Sequence, residues 1–140
     1  MCRHPEEALM KQRVSMIMIG AANIATLSRF YEDGLGWTPW RKGGSGSMMY
    51  KVGDSVLVFI DRSYLAAERG EPMAAGSKQS LAVFVESRGE VDAAMAKALD
   101  AGATLTSAAR PRDGDLYSGY FNDPEGNSWE VVFAPRWLNN

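Results

Sequence analysis

The predicted elements of this chain occur twice in the same order, and this repeat constrains the fold more than any other feature. Residues 14–61 read as a strand, a helix and three strands, and residues 80–135 repeat that order. Residues 62–79 join the halves as a short helix and a loop. In each half one helix covers one face of a four-stranded sheet, so the other face needs a partner. The sequence therefore predicts an α+β domain whose halves curl together around a cavity.

Local signals mark the elements of each half. Asn23 is a suitable N-cap for a helix that apolar residues at helical spacing extend to Asp33. Ser87 and Glu90 have the spacing of a capping box before the second long helix. Residues 110–115 are predicted to form a polar loop. The predicted strands are 14–20, 37–42 (weakened by Pro39), 48–52 and 55–60 in the first half, and 80–86, 103–107, 117–122 and 128–133 in the second.

The last predicted strand carries a carboxylate between strongly apolar neighbours. Trp129, Val131 and Phe133 share one face of this strand, whereas Glu130 points to the other face. A charged group there costs free energy unless it meets a polar cavity, a partner or a ligand. Glu130 is therefore the candidate catalytic residue, as a general base or acid. The alternative is a carboxylate that is hydrogen-bonded to a Tyr or Ser and takes part in no turnover.

Composition argues against several classes of function. The net charge is −2 without long runs of one sign, which argues against nucleic acid and membrane as partners. No stretch approaches the roughly 20 apolar residues of a membrane helix. The N-terminal arm, residues 1–13, lacks the apolar core of a signal peptide, so a cytoplasmic location is expected. The single Cys2 and the single His4 lie in this arm, which argues against a Ser-His-Asp triad or a multi-histidine metal site.

Two motifs resemble the vicinal oxygen chelate superfamily, which includes glyoxalase I, bleomycin-resistance proteins and extradiol dioxygenases. The first motif is Asn23-Ile24 followed by Phe30-Tyr31 and Leu35-Gly36-Trp37. The second is the run GYFNDPEGN from Gly119 to Asn127, followed by Trp129-Glu130-Val131. With the repeated element order, the resemblance covers about residues 14–135. It implies one domain of two β-α-β-β-β modules that form an incomplete, side-open barrel, followed by a tail at 136–140.

Metal-dependent members of that superfamily take one ligand from the first strand and one from the last strand of each module. The resemblance places Met16, Leu57, Ser80 and Glu130 at these four positions. Of these only Glu130 is a usual ligand, and one carboxylate does not hold a divalent cation tightly. The prediction is therefore a chain without the usual metal site and without a cofactor.

Alternation along the strands predicts which side chains line the cavity beside Glu130. The predicted cavity is apolar apart from Glu130, Ser80 and Tyr120, while Trp129 is predicted to be core and Trp137 to pack on a second subunit. Core filling is the competing interpretation of the two methionines. The predicted substrate-binding residues are Met16, Met18, Leu57, Phe59, Ser80, Phe84 and Tyr120.

Two functions fit these features. The first is metal-independent binding of a small organic molecule, similar to the bleomycin-resistance type. The second is an enzyme, either a lyase or isomerase with Glu130 as general base, or a glyoxalase-like or dioxygenase-like enzyme with an atypical metal site. A protein-interaction module is a third interpretation, and it predicts an exposed apolar patch in place of a cavity. The resemblance implies a homodimer, whose modules pair either within one chain or between chains.

Overall fold

Two mixed β-sheets, one from each half of the chain, form the framework of the protein. The computed structural model describes residues 10–41, 46–72 and 78–136. The first sheet contains β1 (Met16–Ala21), β2 (Ser47–Val52) and β3 (Ser55–Asp61) in the order β1-β3-β2. The second contains β4 (Ser80–Val85), β5 (Thr104–Pro111), β6 (Tyr117–Asn122) and β7 (Ser128–Phe133) in the order β4-β7-β6-β5. In each sheet the first strand pairs in parallel with the last, β1 with β3 and β4 with β7.

Three α-helices of the described residues complete the fold. Helix α1 (Ile24–Ser28) continues as a π-helical segment to Gly34, α2 (Arg62–Arg69) follows the first sheet, and α3 (Arg88–Asp100) packs on the second. Gly34 is required at its position, because a Cβ there would lie 2.4 Å from the Ala101 Cβ beyond α3. This α+β arrangement of two sheets, with no closed barrel, confirms the predicted fold class. None of the helices in the described ranges is long and apolar enough to cross a membrane.

The predicted strand at 37–42 is wrong over the residues that the structure describes. Only Arg41 forms a bridge, with Met49. The Met49 N–H donates to the Arg41 carbonyl at 2.9 Å, and the Trp40 N–H donates to the Met49 carbonyl at 2.8 Å. Pro39 has no N–H to offer, so pairing cannot extend toward residue 37. The described part of the first half therefore has three strands, and Lys42 lies outside it.

The boundary between the predicted strand at 103–107 and the predicted loop at 110–115 is also wrong. Strand β5 continues to Pro111, and Arg110 pairs with Ser118 after two shifts of register against β6. The loop shrinks to a short helical turn at Asp113–Asp115. Irregular register lets this strand bend, and Arg110 is therefore part of the sheet edge rather than of a loop.

The helix-facing sides of both sheets share one aromatic core. Tyr31 stacks on Phe59 with ring centroids 4.9 Å apart, and Phe30 lies 6.2 Å from Phe121 of the second half. Trp37 meets Trp129 edge-on at 5.8 Å. Trp129 is 8% exposed, which confirms its predicted place in the core. The two halves are thus joined through the sides that carry the helices.

A buried polar network reinforces this junction. Asp123, 2% exposed, accepts hydrogen bonds from the Tyr31 hydroxyl (2.7 Å), the Asn127 side-chain amide (2.8 Å) and the backbone N–H groups of Glu125 and Asn127 (2.9 and 3.0 Å). The Trp129 indole N–H donates to the Tyr31 oxygen at 2.9 Å. All the partners of the Asp123 carboxylate are donors, so the charge is fully compensated by hydrogen bonds.

The same turn holds the start of α1. The Glu125 carboxylate accepts hydrogen bonds from the backbone N–H groups of Ala22 (2.8 Å) and Asn23 (2.7 Å). Asn23 in turn accepts a hydrogen bond from the Thr26 N–H as the predicted N-cap. A carboxylate at this end of a helix also meets the positive end of the helix dipole. The last hairpin therefore fixes the first helix of the other half.

We expect stability to fall as the pH rises above about 10, the ordinary tyrosine pKa. Burial, the Asp123 charge and its hydrogen bond raise the pKa of Tyr31 well above that value. Burial and the hydrogen bond to Glu32 raise the pKa of Tyr50 as well. Above pH 10 the unfolded chain loses phenolic protons that the native protein keeps, so each such group lowers the unfolding free energy by about 1.4 kcal/mol per pH unit.

Urea unfolding at a series of alkaline pH values measures this slope. Tyr31→Phe should make the slope of the unfolding free energy against pH shallower by the contribution of one phenolic proton. Tyr64→Phe, at an exposed position on α2, should leave the slope unchanged. An identical slope in Tyr31→Phe and the parent protein would contradict the expectation.

Candidate functional site

The face of the second sheet that lies opposite the core carries Glu130. In the register of β7 with its neighbours, Ala82 and Tyr120 are directly opposite Glu130, and Ser80 is opposite Ser128. Directly opposed residues point to the same side of a sheet. Ser80, Phe84 and Tyr120 therefore lie on the Glu130 face, as strand alternation predicted.

A carboxylate and a phenol form the centre of this face. Glu130 is half-buried, and Tyr120 lies directly opposite it on β6. Burial and the neighbouring Glu130 carboxylate raise the pKa of Tyr120, while Arg112 lowers it. The phenol thus keeps its proton. Next to this pair, the hydroxyl oxygens of Ser80 and Ser128 are 2.6 Å apart. The remaining lone pairs of the carboxylate are available to accept a hydrogen bond or a proton.

A groove of about 520 Å³ opens beside this pair, and the β5–β6 hairpin forms its wall. Its lining includes Arg110, Arg112, Tyr120 and Glu130. The Arg112 guanidinium lies 5.5 Å from the Tyr120 ring centroid. Both arginines fall in the predicted polar loop at 110–115. Arg110 instead lies in β5, which ends at Pro111, and Arg112 follows it directly; nothing in the local sequence shows that the strand extends so far.

The predicted facing of Leu57 and Phe59 is wrong. The parallel register pairs Met16 with Val56, Ile17 with Leu57 and Ile19 with Phe59. Leu57 and Phe59 therefore point into the core, where each is 1% exposed. The prediction placed β3 one residue out of step with β1, and a shift of one residue moves every side chain to the opposite face.

Met16 and Met18 lie on the open face of the first sheet. They are 43% and 48% exposed, and neither lines the groove beside Glu130. A second cleft, of about 670 Å³, lies between the halves and is lined almost entirely by apolar side chains; its one charged residue is Lys97. That cleft includes Leu57 and Phe84 but neither methionine nor Glu130. The structure of one chain thus does not bring the two predicted cavity faces together.

The residues that the resemblance placed at the four metal-ligand positions do not form a metal site. Leu57 points into the core, and the β3 residues on the Met16 side of the sheet are Val56 and Val58, whose side chains cannot coordinate a metal. The Ser80 hydroxyl is paired with Ser128, which leaves Glu130 as the one charged oxygen donor of the set. Across residues 10–41, 46–72 and 78–136 there is no group of three or more His, Cys, Asp or Glu side chains that could hold a metal ion. An alkyl group, a thioether, a hydroxyl and one carboxylate do not suit a divalent cation.

Comparisons with known proteins agree with this architecture. The model of the Glyoxalase/Bleomycin resistance protein/Dioxygenase superfamily matches residues 13–131. The crystal structure of a glyoxalase-related enzyme from Fulvimarina pelagi is 28% identical, with a TM-score of 0.84, and covers 89% of this chain and 89% of that chain. A comparison with curated proteins gave no significant match.

Two further solved structures share the fold. A glyoxalase/bleomycin resistance protein/dioxygenase family enzyme from Burkholderia phytofirmans PsJN is 24% identical, with a TM-score of 0.72, and covers 86% of this chain and 97% of that chain. A lactoylglutathione lyase from Agrobacterium tumefaciens is 19% identical, with a TM-score of 0.71, and covers 90% of this chain and 96% of that chain.

Proposed function

Because the chain belongs to the glyoxalase/bleomycin resistance protein/dioxygenase superfamily, we propose that it binds a small organic molecule on the Glu130 face of its second sheet, without the usual metal site. The observation that carries this proposal is the half-buried Glu130–Tyr120 pair at the edge of an open groove. A carboxylate beside one phenol can direct a ligand that offers a hydrogen-bond donor. The apolar Phe84 on the same face supplies contact area for the rest of the ligand.

A second copy of the chain completes this site in our proposal. Strands β1 and β4 are both edge strands, and both present exposed apolar side chains, Met16 and Met18 on β1 and Val83 and Phe84 on β4. Uncovered apolar edges favour association with another strand. A two-fold axis can place β1 of each copy beside β4 of the other, so that the same contact is made twice. The methionines of one copy would then cover the Glu130 face of the other.

A screen of small aromatic and aliphatic compounds by thermal shift, with mass spectrometry of any copurified molecule, tests ligand binding. We expect compounds that raise the melting temperature of the parent protein. Glu130→Gln should weaken their binding by about tenfold or more, because a hydrogen bond to a charged group contributes about 1.5–3 kcal/mol. Glu68→Gln, at an exposed position on α2, is the matched control and should bind normally. If no compound binds and none copurifies, the proposal is wrong.

Catalysis is the second candidate function, and the Glu130–Tyr120 pair favours it specifically. A lyase or isomerase needs a base beside the ligand, and Glu130 is the carboxylate in the groove that contacts a proton donor. Prolonged incubation with each bound compound, followed by product analysis, separates the two functions. Unchanged ligand supports binding alone, and product that disappears in Glu130→Gln supports catalysis. Product formation that survives in Glu130→Gln would exclude Glu130 as the base.

A further inference from the structure

We propose that Arg112 forms an anion subsite next to Glu130, and that the ligand is a small organic carboxylate that also carries a hydrogen-bond donor. This inference rests on the function proposed above and names its ligand class. It concerns the β5–β6 hairpin, which the resemblance to the superfamily does not assign to any role.

The Arg112 side chain is held in one orientation by the protein. Its Nε and Nη2 atoms donate to the Ser118 carbonyl at 3.3 and 3.0 Å. Nη2 also donates to the Ser107 hydroxyl at 2.9 Å and the Ala108 carbonyl at 3.3 Å. Ser118 is fully buried, so the guanidinium is anchored to a rigid part of β6. An arginine fixed in this way loses little conformational entropy when it binds a ligand.

One edge of the guanidinium is left for a ligand. The two N–H groups of Nη1 have no acceptor among the described residues, and Arg112 has no carboxylate within ion-pair distance there. The hairpin turn carries two acidic residues: Asp113 lines the groove but forms no ion pair with Arg112, and Asp115 pairs with Arg136 at 2.7 Å. A half-buried guanidinium that is held by neutral oxygens alone favours an anion at its free edge.

The groove places opposite charges beside one aromatic ring. Arg112 lies 5.5 Å from the Tyr120 ring centroid, and Glu130 is directly opposite Tyr120 on the neighbouring strand. A ligand that spans this ring can place its anion on Arg112 and its donor group on Glu130. The nearby negative charge of Glu130 repels a doubly charged phosphate more strongly than a singly charged carboxylate. The buried Ser118 hydroxyl, on the same strand face, has no hydrogen-bond partner in the described chain, so this region has unused polar capacity.

Matched pairs of compounds test the subsite in the full-length protein. The probes are benzoate and benzamide, phenylacetate and phenylacetamide, and mandelate and mandelamide, with affinities from isothermal titration calorimetry. Each carboxylate should bind about tenfold or more tightly than its amide, since a hydrogen bond to a charged group exceeds a neutral one. Arg112→Gln should abolish this preference and leave amide binding unchanged. Mandelate should also bind more tightly than phenylacetate, and that advantage should disappear in Glu130→Gln.

The matched control is Arg29→Gln, because Arg29 is an exposed arginine that does not line the groove. It should keep the preference for carboxylates. If the amides bind and the carboxylates bind no better, or if the preference persists in Arg112→Gln, the anion subsite is wrong while the proposed ligand-binding function stands. If neither member of any pair binds, both proposals fail.

Arg112 also braces its hairpin, so Arg112→Gln must be checked for folding by circular dichroism and by its amide affinities. If the variant does not fold, the salt dependence of carboxylate binding by the parent protein tests the subsite instead. Added NaCl should reduce the carboxylate advantage without changing amide binding, because salt screens the charge on Arg112. A carboxylate advantage that is insensitive to salt would overturn the inference.

Discussion

Asp123→Ala is expected to lower the unfolding free energy by roughly 3–5 kcal/mol, because each buried donor that loses its partner costs about 1–3 kcal/mol. The substitution removes the acceptor of the Tyr31 hydroxyl, the Asn127 side-chain amide and two backbone N–H groups. The Asp123 site is 2% exposed, so water cannot replace the carboxylate without rearrangement of the turn. Urea denaturation at neutral pH measures the loss.

Asp54→Ala is the control for this change. Asp54 lies in the β2–β3 turn of the first half and is exposed, and its replacement should alter stability by less than about 0.5 kcal/mol. If Asp123→Ala were as mild as Asp54→Ala, the network around Tyr31 would not hold the halves together as we describe.

Two variants that each bind ligand weakly are expected to recover strong binding when they are mixed. Met18→Trp fills the open face of the first sheet, and Ala82→Trp fills the Glu130 face of the second, since Ala82 is directly opposite Glu130. Each variant alone should lose ligand affinity by about tenfold or more, as bulky side chains occupy the space of the ligand. In a mixed dimer the unmodified second sheet of one copy meets the unmodified first sheet of the other.

After unfolding and refolding of an equal mixture, half of the dimers are mixed and each has one intact site, so binding should return to about a quarter of the parent level. Sedimentation analysis of both variants must first show the same dimer as the parent protein. If the site forms within one chain, mixing restores nothing. A monomer in the parent protein would refute the arrangement altogether.

The sequence predicted the last hairpin most accurately, for physical reasons that are local to it. Pro124 and Gly126 suit the turn between β6 and β7, and Gly126 has the expected positive φ of 86°. Alternation from Ser128 to Phe133 placed Trp129 in the core and Glu130 on the opposite face, and the structure confirms both. Turn chemistry and alternation are properties of neighbouring residues, so a single sequence contains them.

The parts that could not be predicted depend on pairing between distant segments. The register of β3 against β1 decides whether Leu57 faces the core, and the sequence of β3 alone does not specify that register. The place of Arg112 depends on two register shifts between β5 and β6. The predicted strand near Trp40 is reduced to a single bridge at Arg41 in the structure. The prediction gave more weight to the aromatic residues of this segment than to Pro39, which cannot donate a hydrogen bond to a sheet. The prediction for Trp137 lies outside the described residues.

The ties between the last hairpin and α1 also bear on the order in which the chain folds during synthesis. The Tyr31 hydroxyl and the backbone N–H groups of Ala22 and Asn23, just before α1, bond to residues that lie 92 to 103 positions later. Until Asp123, Glu125 and Trp129 have left the ribosome, the earlier half exposes an aromatic surface and has no lasting way to cover it. Contacts of such long sequence separation form slowly, and the incomplete half is prone to aggregation in the meantime. Dependence on chaperones should therefore be greatest in the interval before the final hairpin emerges.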